Sequence, residues 1–295
     1  MDDKYNLKPL QQELFGIYKE IEQICDRHGW RVYGTSGTAL GAVRHKGFIP
    51  WDDDLDVGMP RDDYEKFLLV ADAELPPWLR VLSWKNCKSY TTLFAKVIIS
   101  DPLRVDGVCA KTNMTAPMGI YVDVFPFDGY PVSKIRQICR ILKRGLYNAE
   151  GYAASLRWEN LRGFQAKIGW LFGKMLRLLP GCPESYRGSL RLHEALLRSM
   201  PFETSPRVIS SMWYHEEPRF SKTPRAGWFS AKDMGKGRDV PFEDGTMRIF
   251  DNVAPYLISL FGDYMKLPPE EDRHPTHGME NVAKVPWRYG PVEED

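Results

Sequence analysis

No stretch of this 295-residue chain approaches the ~20 consecutive apolar residues that a helix needs to cross a bilayer, so no transmembrane segment is expected. No CxxC pair occurs either. Cys25, Cys87, Cys109, Cys139 and Cys182 are scattered and lack nearby histidine partners. An odd, dispersed set suits reduced thiols better than a disulfide framework or a zinc site. The opening residues lack the charged-then-apolar pattern of a signal peptide. Charge of one sign is also missing: 40 Lys and Arg against 39 Asp and Glu leave +1, which speaks against a nucleic-acid binder. Internal repeats and low-complexity linkers are absent. A cytoplasmic protein of one large or two modest domains is the expectation.

What charge there is lies unevenly. Between Lys134 and Arg198 stand thirteen Lys and Arg against four Asp and Glu, either a solvated helical face or a platform for something anionic. Leu10, Leu14, Ile17, Ile21 and Ile24 recur at helical spacing, and Gly29 follows as a stop, which predicts a helix over 8–28. A strand is expected at 31–33, a turn at 34–37, and a short helix over 38–43. Alternation marks a strand at 55–59, and Pro60 opens a helix with Asp62 and Asp63 in its first turn. Further strands are expected at 81–84, 92–100 and 119–125. From Lys134 to about Met200 the pattern is helical, broken at Pro180-Gly181. Short strands, an aromatic-rich loop (Trp213, Trp228, Phe229) and a helix near 252–265 complete the chain. The fold class is mixed α/β. A strand-rich catalytic core spans 1–130, a helix-rich basic insertion 131–206, and a closing segment 207–295.

The informative segment is Trp51-Asp52-Asp53-Asp54-Leu55-Asp56-Val57-Gly58-Met59. Residues two apart on a strand point the same way, so Asp54 and Asp56 would share a face. Two carboxylates that close repel unless a cation lies between them, and Mg²⁺ or Mn²⁺ suits their hard oxygens. Asp123 stands alone in the apolar run Ile120–Phe125, where a charge must be paired or metal-bound; a salt bridge to a basic residue is the alternative. A calcium loop is excluded, because counting from Asp52 its required Gly and Glu positions hold Val57 and Asp63.

Upstream, Gly34-Thr35-Ser36-Gly37-Thr38-Ala39-Leu40-Gly41 precedes Arg44, His45 and Lys46. Small residues admit phosphate oxygens to backbone N–H groups at a helix start, and the basic residues offer charge. This is not a P-loop, since no Gly-Lys-Ser/Thr follows. Lys96 is a further phosphate candidate, with snorkelling from a strand edge as the plain reading. Trp51 suits stacking on a base or on a quaternary ammonium, or packing.

The stretch GTSGTALGAVRHKGFIPWDDDLDVGMPRDDYEKF (34–67) closely resembles the LicD family of phosphotransferases. The resemblance continues in IYVDVFPFDG (120–129), VPFEDGTMRIF (240–250) and YLISLFGDYMKLPPEEDRHPTHG (256–278). It implies a nucleotidyltransferase-like fold, with Asp54, Asp56 and Asp123 as metal-binding catalytic residues and Gly34–Gly41 as the donor-phosphate turn. Taken with the residue reading above, the candidate donor-site residues are Gly34, Ser36, Gly37, Thr38, Gly41, Arg44, His45, Lys46, Trp51, Asp52 and Lys96. Characterised members transfer phosphocholine from CDP-choline to surface glycans such as teichoic acids, and fukutin relatives transfer ribitol phosphate. The expected partners are a CDP-alcohol donor and a glycan acceptor of the teichoic acid, capsule or lipopolysaccharide kind. The basic, partly amphipathic stretches 134–146 and 167–179 read either as peripheral contacts with an anionic membrane, where a lipid-linked acceptor would sit at the inner membrane face, or as core or interdomain helices. Nucleotidyl transfer and glycosyl transfer from a nucleotide-sugar are the rival chemistries.

Overall fold

The computed structural model describes residues 4–87, 90, 92–99, 120–155, 186–211 and 228–276, together with 167, 168, 171 and 175. Helix α1 runs Lys8–His28, as its periodicity predicts: Leu10, Leu14, Ile17, Ile21 and Ile24 are all buried. Gly29 ends it in the left-handed region (φ 68°), where its lack of a Cβ removes the steric cost. Strand β1 (Tyr33–Gly34) then leads to α2 (Ser36–Arg44). Strand β2 (Asp56–Pro60) passes directly into α3 (Arg61–Glu74), which carries Asp62 and Asp63 in its first turn as expected.

Strands β3 (Leu79–Leu82), β4 (Ala95–Ile99) and β5 (Tyr121–Gly129) follow. Helices α4 (Lys134–Ser155) and α5 (Tyr186–Arg198) supply the helical middle; the expected break at Pro180-Gly181 lies outside the described residues. Strands β6 (Arg207–Ser210) and β7 (Trp228–Ser230) and a hairpin of β8 (Arg238–Phe242) and β9 (Gly245–Ile249) precede a last long helix, α6 (Ala254–Phe261).

The main sheet has strand order β1-β2-β5-β4-β3, with β6 joined to β5 and β7 to β6. Strand β5 is its spine. It pairs parallel with β2 on one edge, while β4 (antiparallel) takes its first half and β6 (antiparallel) its end. Pro126 is tolerated here for a local reason. The Asp123 amide donates to Leu55 O on the β2 side, so Pro126, three residues on, faces the other edge. There it falls between the last residue paired to β4, Val124, and the first paired to β6, Phe127. No ladder donor is lost.

Several boundaries differ from expectation. The strand foreseen at 31–33 begins only at Tyr33, because Arg31 turns both its amide and its guanidinium to Asp63. The α2 helix starts at Ser36, so Ser36 and Gly37 are its first turn and not a loop before it. Trp228 and Phe229 are strand, not aromatic loop; Trp213 lies outside the described residues. Phe229 is buried against Phe127, Phe250 and Tyr256, with ring centroids 5.0–5.4 Å apart. That long-range packing, worth more than local turn propensity, decides the strand. Two of the short strands expected in the tail, β6 and β7, join the main sheet beside β5.

Candidate functional site

The register of β2 on β5 sets Asp56 directly beside Asp123. Both flanks of Asp56 are clamped by the start of α2. Its amide donates to Thr38 Oγ1 at 2.9 Å, and its carbonyl accepts from the Thr35 amide at 3.0 Å. The Asp56 side chain is only 4% exposed, and its Oδ1 has no hydrogen-bond partner. Asp54 is half-buried on the approach to β2, two residues before Asp56. Buried Asp53 accepts from the Thr276 amide at 3.2 Å. Asp52 lies against α2, where a Cβ on Gly37 would come within 2.8 Å of its Oδ2.

Burial first, and the Asp54 carboxylate second, push the Asp52 and Asp56 carboxyls well above the usual carboxylate range. Asp123 is different. Its register partner on β4 is Lys96, and the two side chains form an ion pair. The ammonium also lies 3.4 Å from the centre of the Tyr121 ring. Lys96 therefore snorkels from no edge: it is buried on a strand flanked by β5 and β3. The salt bridge left open for Asp123 in the sequence is formed.

The phosphate-binding candidates divide between the two ends of α2. Ser36, Gly37 and Thr38 lie at its N-terminus beside the aspartates, with the Ser36 amide donating to the buried Tyr256 hydroxyl at 3.1 Å. Gly34 is packed against Met247. Arg44 and His45 lie at the C-terminus, roughly 12 Å away along the axis at 1.5 Å per residue. Arg44 donates to His45 Nε2 (2.9 Å) and to Tyr264 O (2.9 Å), so it secures the closing segment. Burial, then Arg44, lowers the His45 pKa, which keeps the imidazole neutral. Lys46 is exposed, and its carbonyl accepts from the Glu243 amide. The cation over Trp51 is Arg273, 5.8 Å from the ring centre.

Gly41 has a packing reason of its own. A Cβ there would sit 2.5 Å from the Gly47 carbonyl oxygen, backbone that cannot swing aside. Gly41→Ala is expected to cost about 1–3 kcal/mol by overpacking, checked by the denaturation midpoint of the purified variant.

Sequence reasoning passed over Tyr256, Arg273 and Thr276, which bring the closing segment onto α2 and the acidic run. Their signal was only their place in the tail stretch that resembles the LicD family, since nothing local announces a contact 220 residues away.

Comparison with known proteins places this arrangement. Residues 29–139 match the family model described as LicD/FKTN/FKRP, nucleotidyltransferase domain. The chain carries a LicD-family domain. All the aspartates above lie within it. The chain is also 27% identical over 307 residues to the lipopolysaccharide cholinephosphotransferase LicD of Haemophilus influenzae, covering 94% of this chain and 98% of that protein. A shorter likeness, 42% over 50 residues and 17% of this chain, joins it to an uncharacterised protein of Rickettsia prowazekii, of which it covers 19%.

Whether the LicD-family domain suits a divalent cation can be judged from its own atoms. Among the described residues no three Asp, Glu, His or Cys side chains are already gathered as a ligand set, and Lys96 engages Asp123. Yet the donors are all carboxylate oxygens, and the unpartnered, buried Asp56 Oδ1 is the kind of atom a hard cation satisfies. The residues fit such an ion.

Proposed function

We propose that this protein transfers phosphocholine from CDP-choline to a hydroxyl of a lipopolysaccharide-type glycan. The observation that carries the reading is buried Asp56, one oxygen unpartnered, paired in register with Asp123 inside a LicD-family nucleotidyltransferase domain. Likeness along nearly the whole chain to a lipopolysaccharide cholinephosphotransferase supports the choice of group and acceptor.

Asp54, Asp56 and Asp123 would hold Mg²⁺ or Mn²⁺, which when bound neutralises the donor diphosphate and the leaving nucleotide. The first turn of α2 presents the Gly37 and Thr38 amides, the Ser36 hydroxyl and the positive end of the helix to the donor phosphates, while the Ser36 amide is held by the Tyr256 hydroxyl. An acceptor hydroxyl forms a P–O bond to the phosphorus bearing choline, while the P–O bond to CMP breaks. Lys96 orients Asp123 through their ion pair, and Asp123 receives the hydroxyl proton as the new bond forms. Buried Leu55 and Val57 hold the acidic run in place from behind.

The test is product analysis. The full chain, CDP-choline, Mg²⁺ and lipopolysaccharide are incubated, and acceptor and nucleotide are identified by mass spectrometry, with CDP-ethanolamine, CDP-glycerol, CDP-ribitol and UDP-sugars in parallel. Phosphocholine on the glycan together with free CMP is the expected result. Nucleotide on the acceptor would establish nucleotidyl transfer instead, and turnover of a UDP-sugar alone would establish a glycosyltransferase.

A further inference from the structure

Helix α4 is assembled inside out. Arg140 and Arg144, one turn apart, are buried, and Arg140 Nη1 donates to Leu196 O on α5 at 3.2 Å. The opposite face carries Ile135, Ile138 and Leu142 at 74%, 51% and 67% exposure, with Val132 exposed just before the helix. Spacings of three and four residues place these in one stripe. The arginines are partnered within the fold, Arg140 also lying 5.7 Å from the Tyr130 ring centre, but branched aliphatics left together in water are unfavourable unless something apolar covers the stripe. Exposed Lys134, Arg136 and Lys143 flank it. Ile168, Leu171 and Met175 are exposed apolar residues of the same basic region.

Beside the stripe lies a cavity of about 260 Å³ between α4 and α5, lined among others by Arg136, Arg140, Lys143 and Ser199. An apolar stripe, a basic border and a cationic pocket together match one occupant. We propose that α4 docks the protein on an anionic phospholipid bilayer, its aliphatic stripe in the acyl boundary and a lipid phosphodiester headgroup in the pocket. The helix begins five residues after β5 ends, and β5 carries Asp123. At about 3.3 Å per residue, Asp123 to Gly129 spans roughly 20 Å, so docking holds the aspartates close to a membrane-anchored acceptor. This deepens the proposed function and rests on it for the acceptor, although lipid binding is measured without donor or acceptor.

The experiment is sedimentation of the full chain with phosphatidylcholine vesicles, with and without 30 mol% phosphatidylglycerol. Binding to the anionic vesicles is expected, at least tenfold stronger than to neutral ones and weakened by salt. Ile135→Glu/Leu142→Glu should lose at least tenfold in binding with an unchanged melting temperature, since both side chains are exposed. Lys134→Gln/Lys143→Gln should weaken binding to anionic vesicles selectively. Both variants should turn over a delipidated glycan at the parent rate while slowing on the lipid-linked form. No vesicle binding by the parent chain overturns the proposal, as does equal competition by free glycerophosphoglycerol, which would make the pocket a soluble-phosphate site. A dimer that Ile135→Glu/Leu142→Glu dissociates would assign the stripe to a second copy. Loss of transfer to every acceptor with vesicle binding intact would instead count against the proposed reaction.

Discussion

Asp56→Asn is expected to abolish transfer while stabilising the metal-free protein. The loss should be about 10³-fold or more in turnover, which corresponds to about 4 kcal/mol of barrier. Asparagine keeps the backbone bonds to Thr35 and Thr38 but removes the charge that the proposed ion and donor need. The stability gain has a separate origin. Asp56 is buried with one oxygen unpartnered, and burial, then Asp54, raises its carboxyl pKa well above normal. The folded state thus holds its proton to higher pH than the unfolded chain, whose carboxylates titrate near ~4. Stability from this group is complete below that pH and declines as pH rises through the raised folded value. A neutral side chain removes the decline. Melting temperatures from pH 4 to 8 in chelator should slope downward for the parent and less so for Asp56→Asn. Added Mg²⁺ should raise the parent's melting temperature and leave the variant's unchanged. An active, folded Asp56→Asn protein would defeat the catalytic scheme.

The largest stability effect is expected at Asp128, remote from the reaction. Its carboxylate receives a fork of two hydrogen bonds from Arg61, at 2.8 and 2.5 Å, and both groups are buried. The pair joins the end of β5 to the first residue of α3, and Glu194 of α5 lies 3.6 Å from the same guanidinium. The carboxylates and the planar fork hold Arg61 charged, its pKa raised despite the desolvation of burial. Asp128→Ala would leave the buried Nε and Nη2 of Arg61 without their acceptor, since Glu65 and Glu194 meet only Nη1, at a cost of about 3–5 kcal/mol. Replacing both residues with apolar side chains of similar volume should recover most of the loss. Urea denaturation of the single and double variants makes the comparison. Equal destabilisation by both would mean that the pair contributes attraction beyond its own desolvation. A single variant as stable as the parent would show that Arg61 is already satisfied elsewhere.

Much of this architecture was written locally. The α1 boundaries follow from an apolar period and a glycine that accepts a left-handed turn, both properties of neighbouring residues. The start of α3 behind Pro60 is equally local. So is the exceptional character of the acidic run, because like charges interrupted by Leu55 and Val57 leave few inexpensive conformations. The phosphate-side residues were less legible. Arg44, Lys46 and Trp51 have the right chemistry for a donor, but side-chain type does not reveal which partner arrives first. The closing segment supplies partners for two of them, through Tyr264 O and Arg273.

The sequence alone determined which residue types would make the site: the alternation around Asp56, the solitary Asp123 in its apolar strand, and the small residues ahead of both. Tertiary structure alone decided which of them meet. Asp56 and Asp123 become neighbours through a parallel strand pairing with α3, β3 and β4 between them in the chain. Lys96 becomes Asp123's partner through the antiparallel register of β4. The two ends of α2 receive different neighbours because a rigid helix separates them by roughly 12 Å. The physical reason is range: propensity, periodicity and capping act over a few residues, whereas register and burial are set by the cooperative fit of segments far apart in the chain.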